Sequence, residues 1–542
     1  MTESFEIHSI PLKEEPAIFE DYLHHYSRVG QFYSFDFREN LESCLQLRKQ
    51  QYFLRKEIQP LILQQNKRWN AGSKTIDNIE KLCSQKTMAV VTGQQAGLFG
   101  GPLYTIYKSI TTIKLAEKLE EQYPDYQFVP VFWLEVGDSD FAEINQFHLM
   151  NMKNEIDSYQ LPDNPEDKKP VFRRKIPAEI SGIFRELPDA LPPSEFRDGL
   201  LNKLQELYKP GTTFSDAFAR RLNELLGNQG LILFNPMAEE VQRLSAPLYK
   251  KALLRREELY SGYESVRNAL QQNNYHRQIH LNEDQTLLFM ETKDQQRQRL
   301  DFNGNNFRAG KGETLTQDDL LAEIEKNPGR FSPNVALRPV LQDFLLPTAA
   351  YVAGPSEISY AAQLKPVYEV LEVNMPVFFP RMRLTLLEGK IHRIMEKYNI
   401  GFEYLFQAPG ELVDNFVHTE SGRQVEELFA HMHHLLNNGL NGLRKELLDI
   451  DQTLKSGIDK TGKHMEQSLE KLRQKVDEAV KRRMDIQVQQ VERVQNHFFP
   501  LKKPQERVFN PLYFTARYGP DFFERLSMAV ELEVEEHLVV LI

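Results

Sequence analysis

A short apolar run, Met88-Ala89-Val90-Val91, ends in Thr92-Gly93, and a glycine- and glutamine-rich segment separates it from a long helical pattern. The segment reads Gly93-Gln94-Gln95-Ala96-Gly97-Leu98-Phe99-Gly100-Gly101, and Pro102 follows. From Leu103 to Glu121 the apolar residues Leu103, Ile106, Ile110, Ile113, Leu115 and Leu119 fall at helical spacing. Phe128-Val129-Pro130-Val131-Phe132-Trp133-Leu134 is a second buried strand. Strand, glycine loop, helix and strand in this order form a βαβ unit. That unit commits the region to an α/β fold built on a parallel sheet.

Further runs extend the sheet. Leu231-Ile232-Leu233-Phe234 is a strand stopped by Asn235-Pro236, and Tyr351-Val352-Ala353 ends in Gly354-Pro355. A helix-like stretch from Glu357 to Leu371 follows, and Pro376 to Pro380 is a candidate last strand. Two stretches read as insertions. Residues 151–197 are rich in proline and charge, and residues 265–330 turn to short strands, with Asn303-Gly304 as a turn. From Leu436 to Phe498 apolar residues recur three and four apart, the pattern of a coiled coil. Asp449 and Asp451 are candidate caps for a new helix, which gives an antiparallel hairpin. The plain reading is a structural or dimerisation arm. Leu538 to Ile542 is strand-like and is expected to fold back on the core.

Charge and cysteine content narrow the function. Lys and Arg number 66 against 77 Asp and Glu, a formal net charge of −11. Nucleic-acid binding is disfavoured, because phosphate neutralisation supplies most of such affinity. With only Cys44 and Cys83, no disulfide framework or thiolate metal site is expected. His431, His433 and His434 lack further ligands nearby, so no metal is expected. No window approaches the roughly 18 apolar residues of a membrane helix. The first residues lack a basic stretch followed by an apolar one, so no secretory signal is expected. A cytoplasmic location is the natural expectation, with small molecules or proteins as partners.

Three segments carry candidate chemistry. Glycines at the carboxyl end of a strand let the backbone approach a ligand, and the next helix offers free N–H groups. Gln94 and Gln95 add donors and acceptors, and Lys108 is placed to reach back to an anion. The bland alternative is a tight turn. The second segment, Glu135 to Glu143, carries Glu135, Asp138, Asp140 and Glu143. These carboxylates repel one another unless they hold a cation, a substrate amine or a proton; helix capping is the alternative. In the third, Gly354 to Gln363, Glu357 sits in a first helical turn with Tyr360 on the same face. Arg338 and Arg381 are candidate clamps for phosphate or carboxylate.

At these segments the chain resembles the BshC family, the cysteine-adding enzymes of bacillithiol biosynthesis. The resemblance rests on Val91 to Tyr104, on Phe132-Trp133-Leu134 with Asp138, Asp140 and Glu143, and on Arg338-Pro339. Gly354 to Tyr360, Pro380-Arg381 and Pro504-Gln505-Glu506-Arg507 extend it over nearly the whole chain. One position departs: the family usually reads Asp-His-Asp where this chain has Asp138-Ser139-Asp140, so no imidazole is available there.

The resemblance implies a Rossmann-like core similar to class I aminoacyl-tRNA synthetases, spanning residues 1–390 with the two insertions. It implies a helical coiled coil at 391–499 that pairs two subunits as a homodimer, and a segment at 500–542 that returns to the core. It implies a ligase joining cysteine to glucosaminyl-malate, the last step to bacillithiol. Amide formation needs an activated carboxylate, so ATP or another activating nucleotide is expected, although no residue names the donor. Asp138, Asp140 or Glu143 are then expected to bind the cysteine ammonium or take a proton from the attacking amine. Thr92, Gly93, Gln94, Gln95, Gly97, Gly100, Gly101, Tyr104, Lys108, Trp133, Arg338, Gly354, Glu357, Tyr360 and Arg381 are expected to bind substrate. The competing readings are an adenylate-forming ligase for another amine, and a non-catalytic scaffold working through its coiled coil.

Overall fold

The computed structural model describes residues 5–12, 16–310, 312–404, 406, 410–421 and 423–542. It divides into two compact units: residues 1–386 with 506–540, and residues 387–505 with 541–542.

The first unit is organised by a five-stranded sheet. Its strands are β1 (Thr87–Gln95), β2 (Gln127–Glu135), β3 (Ile232–Phe234), β4 (Thr348–Ala353) and β5 (Val377–Pro380), and α1 (Leu103–Gln122) connects β1 to β2. The spatial order is β5-β4-β1-β2-β3 and every pairing is parallel. This is a doubly wound order. The chain leaves β1 toward β2 on one side and later returns to β4 on the other, which opens a crevice at the carboxyl ends of β1 and β4. Both faces of the sheet are covered, so β4 is buried along its whole length and β2 from Phe128 onward.

Several local expectations are corrected. Gly93, Gln94 and Gln95 are not loop but the end of β1, paired in register with Trp133, Leu134 and Glu135. The stretch from Glu357 to Leu371 is not one helix. It splits into Pro355–Ala361 and Lys365–Leu371, because Pro366 has no N–H to bond back to the Ala362 carbonyl and is tolerated only in a first helical turn. Asn303-Gly304 is half of a four-residue loop, since Phe302 pairs with Phe307. That hairpin belongs to an antiparallel sheet made of strands between Gln285 and Pro333. Residues 146–160 form a two-stranded hairpin, and helix Ile180–Ala190 follows.

Loop Leu98–Gly101 is held from two sides. The Asn510 side-chain amide donates to the Leu98 and Gly101 carbonyls at 2.9 and 3.0 Å, and the Leu103 amide donates to Phe509 O at 2.9 Å. Phe99 has a φ of 52°, unusual for a bulky residue. Its ring sits among Phe147, Phe184 and Tyr208, contacts that offset the backbone cost.

Before the second unit, the first contributes α2 (Leu337–Leu345) and α3 (Pro355–Ala361) beside the crevice. The second unit is helical. Helices α4 (Arg423–Ile450) and α5 (Lys455–Arg483) pack as a hairpin whose turn begins at Asp451, where its carboxylate accepts the Thr453 amide at 2.8 Å. Leu440 and Ile458 are buried in it, and Gly462 lets α5 approach Leu440 closely. Leu443, Ile450, Met465 and Leu472 remain exposed. Among the described residues, no helix is long and apolar enough to cross a membrane. A last short helix, α6 (Gln505–Val508), carries the chain back into the first unit at Glu506.

Candidate active site

A cavity of about 280 Å³ opens at the switch point of the sheet. Gly93, Gln94 and Gln95 from β1 line it, with Trp133 and Glu135 from β2 and Tyr351 from β4. Lys108 from α1, Arg338 and Gln342 from α2, and Gly354, Glu357 and Tyr360 around α3 complete most of the wall. Tyr104, Arg381 and Arg507 also reach it. Strands β1, β2 and β4 deliver residues at or near their carboxyl ends here, because parallel strands all end at the same edge.

Two ion pairs shape the interior. Lys108 Nζ lies 2.6 Å from Glu357 Oε2 and donates to Gly93 O at 2.7 Å. Glu357 also accepts the Tyr351 hydroxyl at 2.9 Å and the Gly354 amide at 2.8 Å. Burial pulls the Lys108 ammonium below its ordinary pKa, against the opposing pull of Glu357. An ammonium has three donors, and these two bonds leave one for a ligand. In the second pair, Arg338 Nε is 2.8 Å from Glu135 Oε2. Burial pushes the Glu135 carboxyl up and Arg338 only partly offsets it. The Trp133 indole N–H on the same wall is buried and has no acceptor among the described residues. Beside Glu135, Gln95 Oε1 is a buried acceptor with no donor among the described residues. A buried carboxylate next to an unmatched acceptor suits a ligand that brings N–H groups.

Behind the cavity wall, Arg381 makes a bidentate pair with Glu506, with one bond at 2.8 Å. Both residues are buried, and the pair fixes α6 against the end of β5. The Arg381 guanidinium also lies 5.9 Å from the Tyr104 ring centre.

The expected site residues separate into two groups. Gly93, Gln94, Gln95, Tyr104, Lys108, Trp133, Arg338, Gly354, Glu357, Tyr360 and Arg381 converge on the cavity. Thr92, Gly97, Gly100 and Gly101 do not line it. Thr92 donates its hydroxyl to Val352 O at 2.9 Å and so ties β1 to β4. Gly100 faces Leu225 and Pro511, and Gly97 packs on Gly101, so these glycines serve the turn. The first amide of α1 is also not free for an anion, since it donates to Phe509 O.

The expected acidic trio is likewise displaced from the cavity wall, because Val136 and Gly137 carry the chain past it. Asp138 is paired with Arg297 at 3.3 Å and Arg338 at 3.7 Å. Burial alone would raise its carboxyl, but the two arginines hold it below its ordinary value. Asp140 and Glu143 are exposed. The Glu143 carboxyl is raised by partial shielding and by the Asp140 and Asp138 carboxylates beside it. No helix begins at Asp138 or Asp140, so neither is a helix cap.

Sequence reasoning did not single out Gln342, counted Glu135 only as one of four clustered carboxylates, and met Tyr351 and Arg507 only as parts of a strand and of a family block. Two signals were available. Glu135 and Tyr351 stand at or near the carboxyl ends of strands, and Gln342 lies one helical turn after Arg338. Among the described residues no group of three or more His, Cys, Asp or Glu is placed to hold a metal ion.

Comparison with known proteins agrees with this architecture. The family model "Bacillithiol biosynthesis BshC, N-terminal Rossmann-like domain" matches residues 5–382, and "Bacillithiol biosynthesis BshC, C-terminal coiled-coil domain" matches residues 384–542. A protein of Salinibacter ruber named "Putative cysteine ligase BshC" is 34% identical over 97% of this chain and 96% of its own length. The protein of the same name from Prosthecochloris aestuarii is 31% identical over 94% of this chain and 93% of its own. One solved structure, titled "Crystal structure of putative arginyl t-RNA synthetase from Campylobacter jejuni", covers 85% of this chain and 99% of its own. Its identity is 11% and its TM-score 0.23, too low to carry an argument. The sheet order, the switch-point cavity and the matches along nearly the whole chain agree: this chain belongs to the BshC family of bacillithiol biosynthesis.

Proposed function

We propose that this chain is a cytoplasmic ligase that joins the carboxylate of cysteine to the amine of glucosaminyl-malate, giving bacillithiol. The observation that carries the reading is the pairing of Glu135 and Gln95 in one corner of the cavity with Lys108 in another. Glu135 and the unmatched Gln95 Oε1 suit the cysteine ammonium. The third donor of Lys108 and the Gln94 amide suit the carboxylate being activated, and stabilise charge that develops on its oxygen. A nucleoside triphosphate such as ATP would supply the activation: the carboxylate oxygen would take its nucleotidyl or phosphoryl group as a phosphoanhydride bond breaks and pyrophosphate or the nucleoside diphosphate leaves. The amine nitrogen of glucosaminyl-malate then forms the new C–N bond, the bond to the activating group breaks, and the amine gives up a proton. Glu143, whose raised carboxyl faces Tyr104 and Gln95, suits that proton. Exposed Leu443, Ile450, Met465 and Leu472 support pairing of two chains through the helical hairpin.

The test is direct. Purified protein is incubated with cysteine, glucosaminyl-malate and each nucleotide in turn, and bacillithiol is measured by mass spectrometry. Cells lacking the protein are analysed in parallel for low-molecular-weight thiols. Bacillithiol at its normal level in those cells, with no second copy of the gene, would sink the reading. Product from another amine but not from glucosaminyl-malate would redirect it to a different acceptor. Sedimentation of wild type and a Leu443→Glu/Leu472→Glu variant tests the homodimer.

A further inference from the structure

Three of the four cations that reach the cavity are neutralised by carboxylates: Lys108 by Glu357, Arg338 by Glu135 and Arg381 by Glu506. The fourth is Arg507, which has no ion-pair or hydrogen-bond partner among the described residues. It is exposed, yet its place is fixed. Its neighbour Glu506 is buried and locked to Arg381, so α6 holds the Arg507 backbone at the cavity rim. An uncompensated guanidinium at the mouth of a low-dielectric cleft attracts and orients anions.

Tyr104 stands beside it. Its hydroxyl accepts a hydrogen bond from Gln94 Nε2 at 3.0 Å, and its own proton has no acceptor among the described residues. Arg507 is close enough to oppose the rise in the Tyr104 pKa that burial and Glu143 cause. Glu143, which is off the cavity wall, also acts on the Tyr104 hydroxyl, so the mouth carries a cation, Arg507, and a carboxylate on either side of that phenol. A substrate carrying both an amine and an anionic arm fits this polarity in one orientation.

We propose that Arg507 and Tyr104 form an anion receptor at the mouth of the cavity, which takes a carboxylate or phosphate arm of a substrate. The guanidinium supplies a forked pair of donors and the phenol a third. The receptor fixes which end of the substrate points inward, and so sets specificity for an anionic acceptor. In naming that acceptor it rests on the ligase reading above; as an anion site it stands on the charge pattern alone.

Calorimetric titration of the full chain tests it. The probes are glucosaminyl-malate, its analogue methyl glucosaminide with the same amine and no carboxylate, L-malate and inorganic phosphate. Wild type, Arg507→Ala, Arg507→Lys and Tyr104→Phe are compared, with thermal melts to show that each is folded. Arg507→Ala should weaken glucosaminyl-malate roughly tenfold or more, the effect expected of a lost charge-assisted contact, and leave methyl glucosaminide unchanged. Arg507→Lys should recover part of the loss, and wild-type affinity should fall as salt rises. If phosphate binding falls and L-malate binding does not, the arm belongs to the activating donor. Equal binding of all the anions by wild type and Arg507→Ala overturns the proposal, as does a wild type that binds none of them. Arg507-dependent binding of L-malate or phosphate without binding of cysteine or glucosaminyl-malate would instead retain the receptor and reject the ligase reading.

Discussion

Lys108 and Glu357 are 249 residues apart in sequence and 2.6 Å apart at their charged atoms. One lies on the helix after β1 and the other on the helix after β4, so the pair spans the switch point of the sheet. Removing one member leaves the other charge buried. Glu357→Ala is expected to cost about 3 kcal/mol or more, the scale of a broken buried pair. Glu357→Gln retains the shape and a hydrogen bond and should cost less, while lowering bacillithiol formation. Urea denaturation with product assays separates the two effects. A Glu357→Ala variant as stable as wild type would show that the pair is solvated.

The same lysine gives a pH prediction. Its ammonium is held below the ordinary lysine pKa by burial, so it loses its proton at lower pH than an exposed lysine. The charged form exists below that pKa, and anion binding should decay as pH rises through it. The alkaline limb of substrate affinity should therefore fall below the ordinary value, 10.5. Lys108→Arg, if folded, should move that limb upward, because a guanidinium stays charged. A limb that Lys108→Arg leaves in place would assign it to another group.

Asp138 and Glu135 divide the acidic segment by role. Asp138 is held below its ordinary pKa by two arginines, so it stabilises the fold above the usual carboxylate range and that contribution is lost as pH falls through its folded value. Asp138→Asn should flatten the acid side of the stability curve measured by thermal melts from pH 3 to 7. Glu135→Gln should instead weaken cysteine binding, on the order of tenfold for one lost charge-assisted contact. Asp140→Asn should be close to neutral in both assays, since Asp140 is exposed and off the cavity wall. A large loss of cysteine binding in Asp140→Asn with none in Glu135→Gln would reverse the assignment.

The sheet was legible because its strands are buried on both faces and therefore appear as uninterrupted apolar runs, as at Phe128 to Leu134. Strand order was not, because nothing in Tyr351-Val352-Ala353 states that it pairs with β1 rather than β2. Lys108, Glu357 and Arg338 stood out by residue type and by position near strand or helix ends. The pairing of Lys108 with Glu357 and of Arg338 with Glu135 depends on contacts across hundreds of residues, which spacing does not encode. Glu135 was overshadowed by Asp138, Asp140 and Glu143, since sequence proximity hides that Val136 and Gly137 carry the chain away from the cavity. Arg507 was hidden by distance: its helix returns from beyond the coiled coil.

Gly100 provides a last test, which separates turn glycines from ligand glycines. Its φ is +108°, and a Cβ there would sit 2.9 Å from Leu225 Cδ1 and 3.2 Å from Pro511 Cγ. Gly211 has a similar φ, +90°, but open space around it. Gly211→Ala should therefore report backbone strain alone, roughly 1–3 kcal/mol. Gly100→Ala adds crowding and should cost more than Gly211→Ala, the excess measuring how far Leu225 and Pro511 can give. Neither glycine lines the cavity, so the folded fraction of Gly100→Ala should bind glucosaminyl-malate as wild type does. If Gly100→Ala folds with wild-type stability but loses that binding, the loop contacts substrate and the turn assignment is wrong.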